Sequence, residues 1–262
     1  MIRALYTSAT GMNAQQTNID VISHNLANVN TTGYKSGRAE FQDLIYQQVV
    51  EPGARTSDTT QNPTGIQVGL GVKTSSIQKV FIQGDLKNTD RSLDVAIEGE
   101  GFFKVQLPNG DSAYTRTGSF KLDKDGKIVT AEGYELDPSV TVPNDVTSIS
   151  ISSDGIVSVT QPGSTSLTDL GQLTAVRFPN QAGLKAMGKN LYLETEASGA
   201  PVEGLFYQDG FGALNQGFLE TSNVSVVEQV VNMITAQRAY EASSKGITTS
   251  DEMINLALQM KR

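Results

Sequence analysis

The sequence predicts an α+β protein in which N- and C-terminal helices pair as a coiled-coil-like terminal domain, with an all-β body and an extended arm inserted between them. Three observations predict it. Apolar residues recur at helical spacing at both ends of the 262-residue chain. The middle alternates short apolar runs with Gly, Pro, Asn and Asp turns. One stretch near residue 50 follows neither period. The boundaries so read are 1–45 together with 222–262 for the helical domain, 46–70 for the arm and 71–221 for the β body.

In the first helix Ile2, Leu5, Ala9, Met12, Ile19, Ile22 and Leu26 are spaced by three, four or seven, one face of a helix over residues 3–28. At about 1.5 Å per residue it is about 40 Å long. Asn28 through Gly33 supply its stop. From Ala4 to Tyr34 the one charged side chain is Asp20, whereas fourteen residues are Ser, Thr, Asn or Gln. A solvated helix carries a charged face and a core helix is apolar all round. A polar but uncharged surface therefore points to contact with other protein, where amides and hydroxyls pair at modest desolvation cost. The plainer reading is a two-helix layer on the β body.

Residues 46–65 have no apolar period and contain Pro52, Gly53, Pro63 and Gly65, which predicts an extended arm or long loop. Beyond it, Phe102 to Leu107 ends at Pro108-Asn109-Gly110-Asp111. Ser119 to Leu122 and Ile128-Val129 flank Asp125-Gly126, and Ile149 to Val159 turns at Asp154-Gly155. All three have hairpin turn chemistry.

The last helix steps by four and three through Val226, Val230, Met233, Gln237, Tyr240, Ser244, Ile247, Asp251, Ile254 and Leu258. Its N-cap is expected at Ser222 or Asn223. Polar Gln237, Ser244 and Asp251 make this a weak isolated coiled coil, and many β-branched residues lower its helix propensity, so it needs a partner. The expected assembly seam is Leu5, Met12, Ile19 and Leu26 facing Val230, Met233, Tyr240, Ile247, Ile254 and Leu258. Helix, β body, helix is an order that suits a polymer of many copies. In dilute monomer both ends are expected to be protease-sensitive.

Little chemistry is on offer. The chain has no Cys and one His, His24, so thiolate metal sites, cysteine nucleophiles and two-His sites are excluded. Asp123-Lys124-Asp125-Gly126 lacks the spacing of a calcium loop, and the glycines from Gly65 to Gly71 match no phosphate-binding motif. No catalytic residue, metal or cofactor is expected. Glu98 and Glu100 could share a strand face, leaving a carbohydrate-active β-domain enzyme or a secreted adhesin as alternatives to a filament subunit. A net charge of −8 without a basic stripe argues against nucleic acid, and no apolar run reaches the roughly 18 residues a membrane-spanning helix needs. The start lacks the apolar stretch of a cleavable signal peptide, so export, if it occurs, is expected to be signal-independent.

Ser23-His24-Asn25-Leu26-Ala27-Asn28-Val29-Asn30-Thr31-Thr32-Gly33-Tyr34-Lys35 resembles the signature of the flagellar rod and hook proteins, A-N-N-x-A-N-x-x-T-x-G-[FY]-K. Ser23-His24 is a departure. The matching positions are Asn25, Ala27, Asn28, Thr31, Gly33, Tyr34 and Lys35. Glu220 to Glu241, Gly99 to Phe103 and Tyr114 to Phe120 look like further segments of that family, so the likeness spans nearly the whole chain. Within the family, the length and the arm are most similar to subunits of the distal rod, with another axial subunit, of the proximal rod or hook, as the alternative. The resemblance implies a homo-oligomeric helical tube in the basal body, crossing the periplasm and transmitting motor torque. It further implies proximal rod and hook subunits as neighbours, surrounding P and L rings, export through the flagellar type III channel, and an arm that braces neighbouring copies.

Overall fold

A computed structural model describes residues 2–53, 62–143, 145–162 and 167–260. The centre of the expected arm, residues 54–61, lies outside the described residues. The chain forms two compact units. One comprises Met1–Ala27, Gly37–Gln78 and Ser225–Arg262, and the other Asn28–Ser36 and Lys79–Val224. The observed class is α+β: a helix at each end of the chain and a strand-rich middle.

In the first unit, helix α1 (Ile2–Ala27) contacts helix α2 (Val226–Gln259) along its length. Four strands accompany them: β1 (Gly37–Asp43), β2 (Tyr46–Val50), β3 (Ile66–Gly69) and β4 (Val72–Lys79). β1 pairs with β4, and β2 pairs antiparallel with β3, Tyr46 opposite Gly69. Both ends of the arm are thus strands of one ladder. Alternation is absent there because most of β2 and β3 is exposed on both faces, so no core imposes a period of two.

The N-cap of α2 is Ser225, not Ser222 or Asn223. Its hydroxyl accepts from Glu228 N–H, and Glu228 stands at the third helical position, as in a capping box. The two expected caps are engaged or buried elsewhere. Asn223 Oδ1 accepts from Ser36 N–H at 2.8 Å while its amide donates to the Val80 and Ile82 carbonyls, and Ser222 is buried.

The second unit contains β5 (Leu86–Asn88), β6 (Val95–Glu98), β7 (Phe103–Gln106), β8 (Ser112–Thr115), β9 (Lys121–Leu122), β10 (Ile128–Val129), β11 (Glu135–Asp137), β12 (Ser148–Ile151), β13 (Ile156–Thr160), β14 (Leu167–Gln172), β15 (Thr174–Arg177), β16 (Lys185–Gly188), β17 (Leu191–Leu193), β18 (Val202–Leu205), β19 (Ala213–Gln216) and β20 (Phe218–Glu220). Seven join in the order β16-β17-β8-β7-β11-β10-β9, and three in the order β12-β13-β14. The hairpins β7–β8, β9–β10 and β12–β13 form where the Asn-Gly and Asp-Gly pairs sit. Val95, Ile97, Phe103, Val105, Phe120, Val157, Leu173 and Phe206 belong to its main core. A second cluster joins Phe102, Tyr114, Phe178 and Tyr192, with Tyr114 edge-on to Phe178 at 4.7 Å.

Candidate assembly interface and signature segment

The α1–α2 contact is made by small and amide side chains. A methyl group placed on Gly11 would lie 3.3 Å from Ser243 Oγ, and one on Gly246 would lie 2.9 Å from Ser8 Oγ. Asn25 donates to Gln229 Oε1 at 3.3 Å, and Ala14, Ile22, Ala236 and Ser250 are buried. On α2 this face runs through Gln229, Ala236, Ser243 and Ser250, seven apart. It lies one residue before Val230, Gln237, Ser244 and Asp251. Leu5, Met12, Ile19 and Leu26 are half-buried beside it, as are Met233, Ile247 and Ile254. Val230, Tyr240 and Leu258 are exposed.

Part of what the pairing leaves bare is apolar. Val226, Val227, Val230, Val231 and Ile234 form an exposed stripe on the first turns of α2, with Val227 75% and Val231 56% exposed. Spacings of three and four put them on one side of the helix. Glu228 is the one charge among residues 226–234. Met253, Leu256 and Leu258 extend the bare apolar surface near the far end, and Ile45, Val49 and Ile66 expose apolar side chains beside the arm.

The signature residues are placed differently. Asn25, on α1, is buried and pairs with one backbone unit in both directions, donating to Gly37 O and accepting from Gly37 N–H, each at 2.8 Å. Ala27 is exposed, and Asn28 and Thr31 are half-buried. Gly33 has φ 68° and donates its N–H to Glu220 O at 2.8 Å, while Tyr34 and Lys35 are buried. A left-handed residue pressed on backbone is where glycine alone fits without strain.

Lys35 is 1% exposed and its Nζ lies 2.6 Å from Glu220 Oε1. The same ammonium donates to Ile82 O at 2.8 Å. Glu220 Oε1 also accepts from Gly84 N–H, and Glu220 Oε2 accepts from Arg116 Nε, both at 3.0 Å. Arg116 Nη1 donates to the carbonyls of Gly99 and Gly101 at 2.8 and 2.6 Å. Burial, the largest influence, pulls the Lys35 ammonium below the usual lysine range, with Glu220 opposing it. Burial alone would push the Glu220 carboxyl up, yet Arg116, Lys35 and the Gly84 N–H together hold it below the ordinary carboxylate range. Tyr34 is pushed up to about 12 by burial, and the Lys79 ammonium stands 4.3 Å from its ring centre. Arg116 and Glu220 were legible as parts of family-like segments, but no local pattern marks them as partners. Their one signal is a charge standing within a run that is otherwise uncharged.

Glu98 and Glu100 do not act as a pair. Glu98 accepts from Asn215 at 2.7 Å, and Glu100 lies 3.8 Å from Arg177. Among the described residues no helix is long and apolar enough to cross a membrane.

Three family descriptions match the chain: "Flagella basal body rod protein" over residues 5–35, "Flagellar hook protein FlgE/F/G D1 domain" over 96–159, and "Flagellar basal body rod FlgEFG protein C-terminal" over 215–260. Full-length relatives agree. The flagellar basal-body rod protein FlgG of Buchnera aphidicola subsp. Acyrthosiphon pisum is 50% identical over 260 residues, 99% of this chain and 100% of that protein. The FlgG of Borreliella burgdorferi is 50% identical and that of Bacillus subtilis 40% identical, each over 100% of both chains. With Asn25, Gly33, Tyr34 and Lys35 of the signature buried and 40–50% identity to these relatives over the full length, the chain belongs to the FlgG family of flagellar basal-body rod proteins.

Proposed function

We propose that this chain is a structural subunit of the flagellar distal rod, whose copies assemble into a stiff helical tube carrying motor torque across the periplasm to the hook. The observation that supports it most is the bare stripe Val226, Val227, Val230, Val231 and Ile234. An exposed β-branched face with a single charge is poorly suited to water and well suited to a second copy of the same chain. In this reading α1 and α2 form a coiled-coil-like stalk, and residues 1–45 with 222–262 make the tube wall. The seam residues Leu5, Met12, Ile19, Leu26, Met233, Tyr240, Ile247, Ile254 and Leu258 share the load between copies.

The arm at 46–70, with Ile45, Val49 and Ile66 exposed, braces neighbouring copies. Proximal rod and hook subunits adjoin the tube, and P and L rings surround it. The test replaces Val227 and Val231 together with Asp. Because both are exposed, the stability of the isolated chain should change by no more than about 0.5 kcal/mol per site. Burying two unpaired carboxylates in every subunit contact should abolish rod assembly and motility. Wild-type swimming and intact rods in the double variant would refute the interface.

A further inference from the structure

The cluster around Glu220 contains two cations and one anion. Lys35, Arg116 and Glu220 lie at most 5% exposed, far from each other in sequence. Three carbonyls, those of Ile82, Gly99 and Gly101, face the cations and offset part of the surplus positive charge. Around the same carboxylate three stretches of chain are tied together by backbone and amide bonds. Gly33 N–H donates to Glu220 O, Val80 N–H to Ser36 O at 2.8 Å, and Asn223 links Ser36 to Val80 and Ile82. These stretches, 33–36, 79–84 and 220–223, all belong to the second unit and each is continuous in sequence with a segment of the first.

We propose that Glu220 is a positioning residue: its charge clasps three of the four connectors at which the chain enters and leaves the strand-rich unit, and the signature Gly33-Tyr34-Lys35 serves this internal clasp rather than a subunit contact. The charge count gives an asymmetry that packing alone does not. Lys35→Met leaves a neutral Arg116–Glu220 pair, and Arg116→Met leaves a neutral Lys35–Glu220 pair. Glu220→Gln, although closest to the native shape, leaves two buried cations with no anion, the costly way to break an ion cluster. If instead the residues merely fill space, the near-isosteric Glu220→Gln is the mildest of the three.

Hydrogen–deuterium exchange on the full-length chain tests this. In E220Q the amides of 33–36 and 79–84 should exchange about a hundredfold faster, while Phe103–Gln106 keeps its native protection. In K35M and R116M the same connectors should stay within about tenfold of wild type. Equal acceleration in all three variants, or E220Q milder than K35M, overturns the proposal. Should E220Q fail to fold, E220D decides: it keeps the charge and should fold with closed connectors, whereas its failure would show that shape rather than charge matters.

Discussion

Replacing Gly33 with Ala perturbs the signature at one methyl group, and its cost follows from two terms. Gly33 has φ 68°, where a Cβ costs about 1–2 kcal/mol. That methyl would sit 2.8 Å from Thr117 Oγ1, 2.9 Å from Thr117 N and 3.0 Å from Thr117 Cα. Two of these are backbone atoms that cannot rotate away, so overpacking adds about 1–3 kcal/mol. The sum is about 2–5 kcal/mol, a large part of the stability of a typical domain. Gly133 separates the terms. Its φ is 87°, yet nothing lies within 4 Å of an added methyl, so G133A should cost only about 1–2 kcal/mol. Urea unfolding followed by near-ultraviolet circular dichroism reads the strand-rich unit through Phe102, Tyr114, Phe178 and Tyr192. Equal destabilisation by G33A and G133A would refute the steric half of the reasoning, and a wild-type midpoint for G33A would refute both halves.

Capping and pH give further tests. Ser225→Ala should destabilise α2 by about 0.5–1 kcal/mol, the low end for a cap because the bond to Glu228 N–H is 3.5 Å long. Ser222→Ala should be neutral or stabilising, since among the described residues Ser222 Oγ is buried without a hydrogen-bond partner; thermal melts followed at helical wavelengths distinguish the two. The Glu220 carboxyl is depressed, so its stabilisation is complete above the unfolded carboxylate value of about 4.3 and is lost as pH falls through the lower folded value. The urea midpoint should therefore drop between pH 6 and pH 3.5, and drop less in Lys35→Met, where one source of the depression is gone; an identical drop in both proteins would contradict this. At the alkaline end Tyr34, raised to about 12, stays neutral after its unfolded counterpart ionises, so its contribution falls as pH rises from about 10 towards 12. Ultraviolet titration of the phenols should show Tyr34, Tyr114 and Tyr192 ionising late, all three raised chiefly by burial, and Tyr34→Phe should remove one of the three.

Local periodicity alone was enough to place both long helices, because a 3.6-residue repeat held over many turns has few competing interpretations. Turn chemistry likewise located the hairpins at Asn109-Gly110, Asp125-Gly126 and Asp154-Gly155, and the motif from Ser23 to Lys35 pointed to the family. Local pattern could not choose the face by which α1 and α2 meet. Apolar spacing favours Val230 and Leu258, yet the chain turns Gln229, Ala236, Ser243 and Ser250 inward, beside Gly11 and Gly246. Close helix approach selects small residues, and Val230, Tyr240 and Leu258 are left on the outside.

The cap of α2 and the clasp at Glu220 were decided by tertiary structure for a related reason. Asn223 and Ser222 have cap chemistry, but Asn223 is drawn off to Ser36, Val80 and Ile82. Lys35 and Glu220 stand 185 residues apart, so their pairing leaves no trace in either neighbourhood. A lysine is read as solvated until the fold supplies an anion and a carbonyl to its buried ammonium. Thus the sequence by itself determined where the two long helices run and where three hairpins turn, through repeats and turn residues carried by neighbours, but not that residues 37–43, 46–50 and 66–69 are strands. Only the tertiary structure decided which of their polar groups are buried, because a buried charge is tolerable only where distant parts of the chain converge to satisfy it.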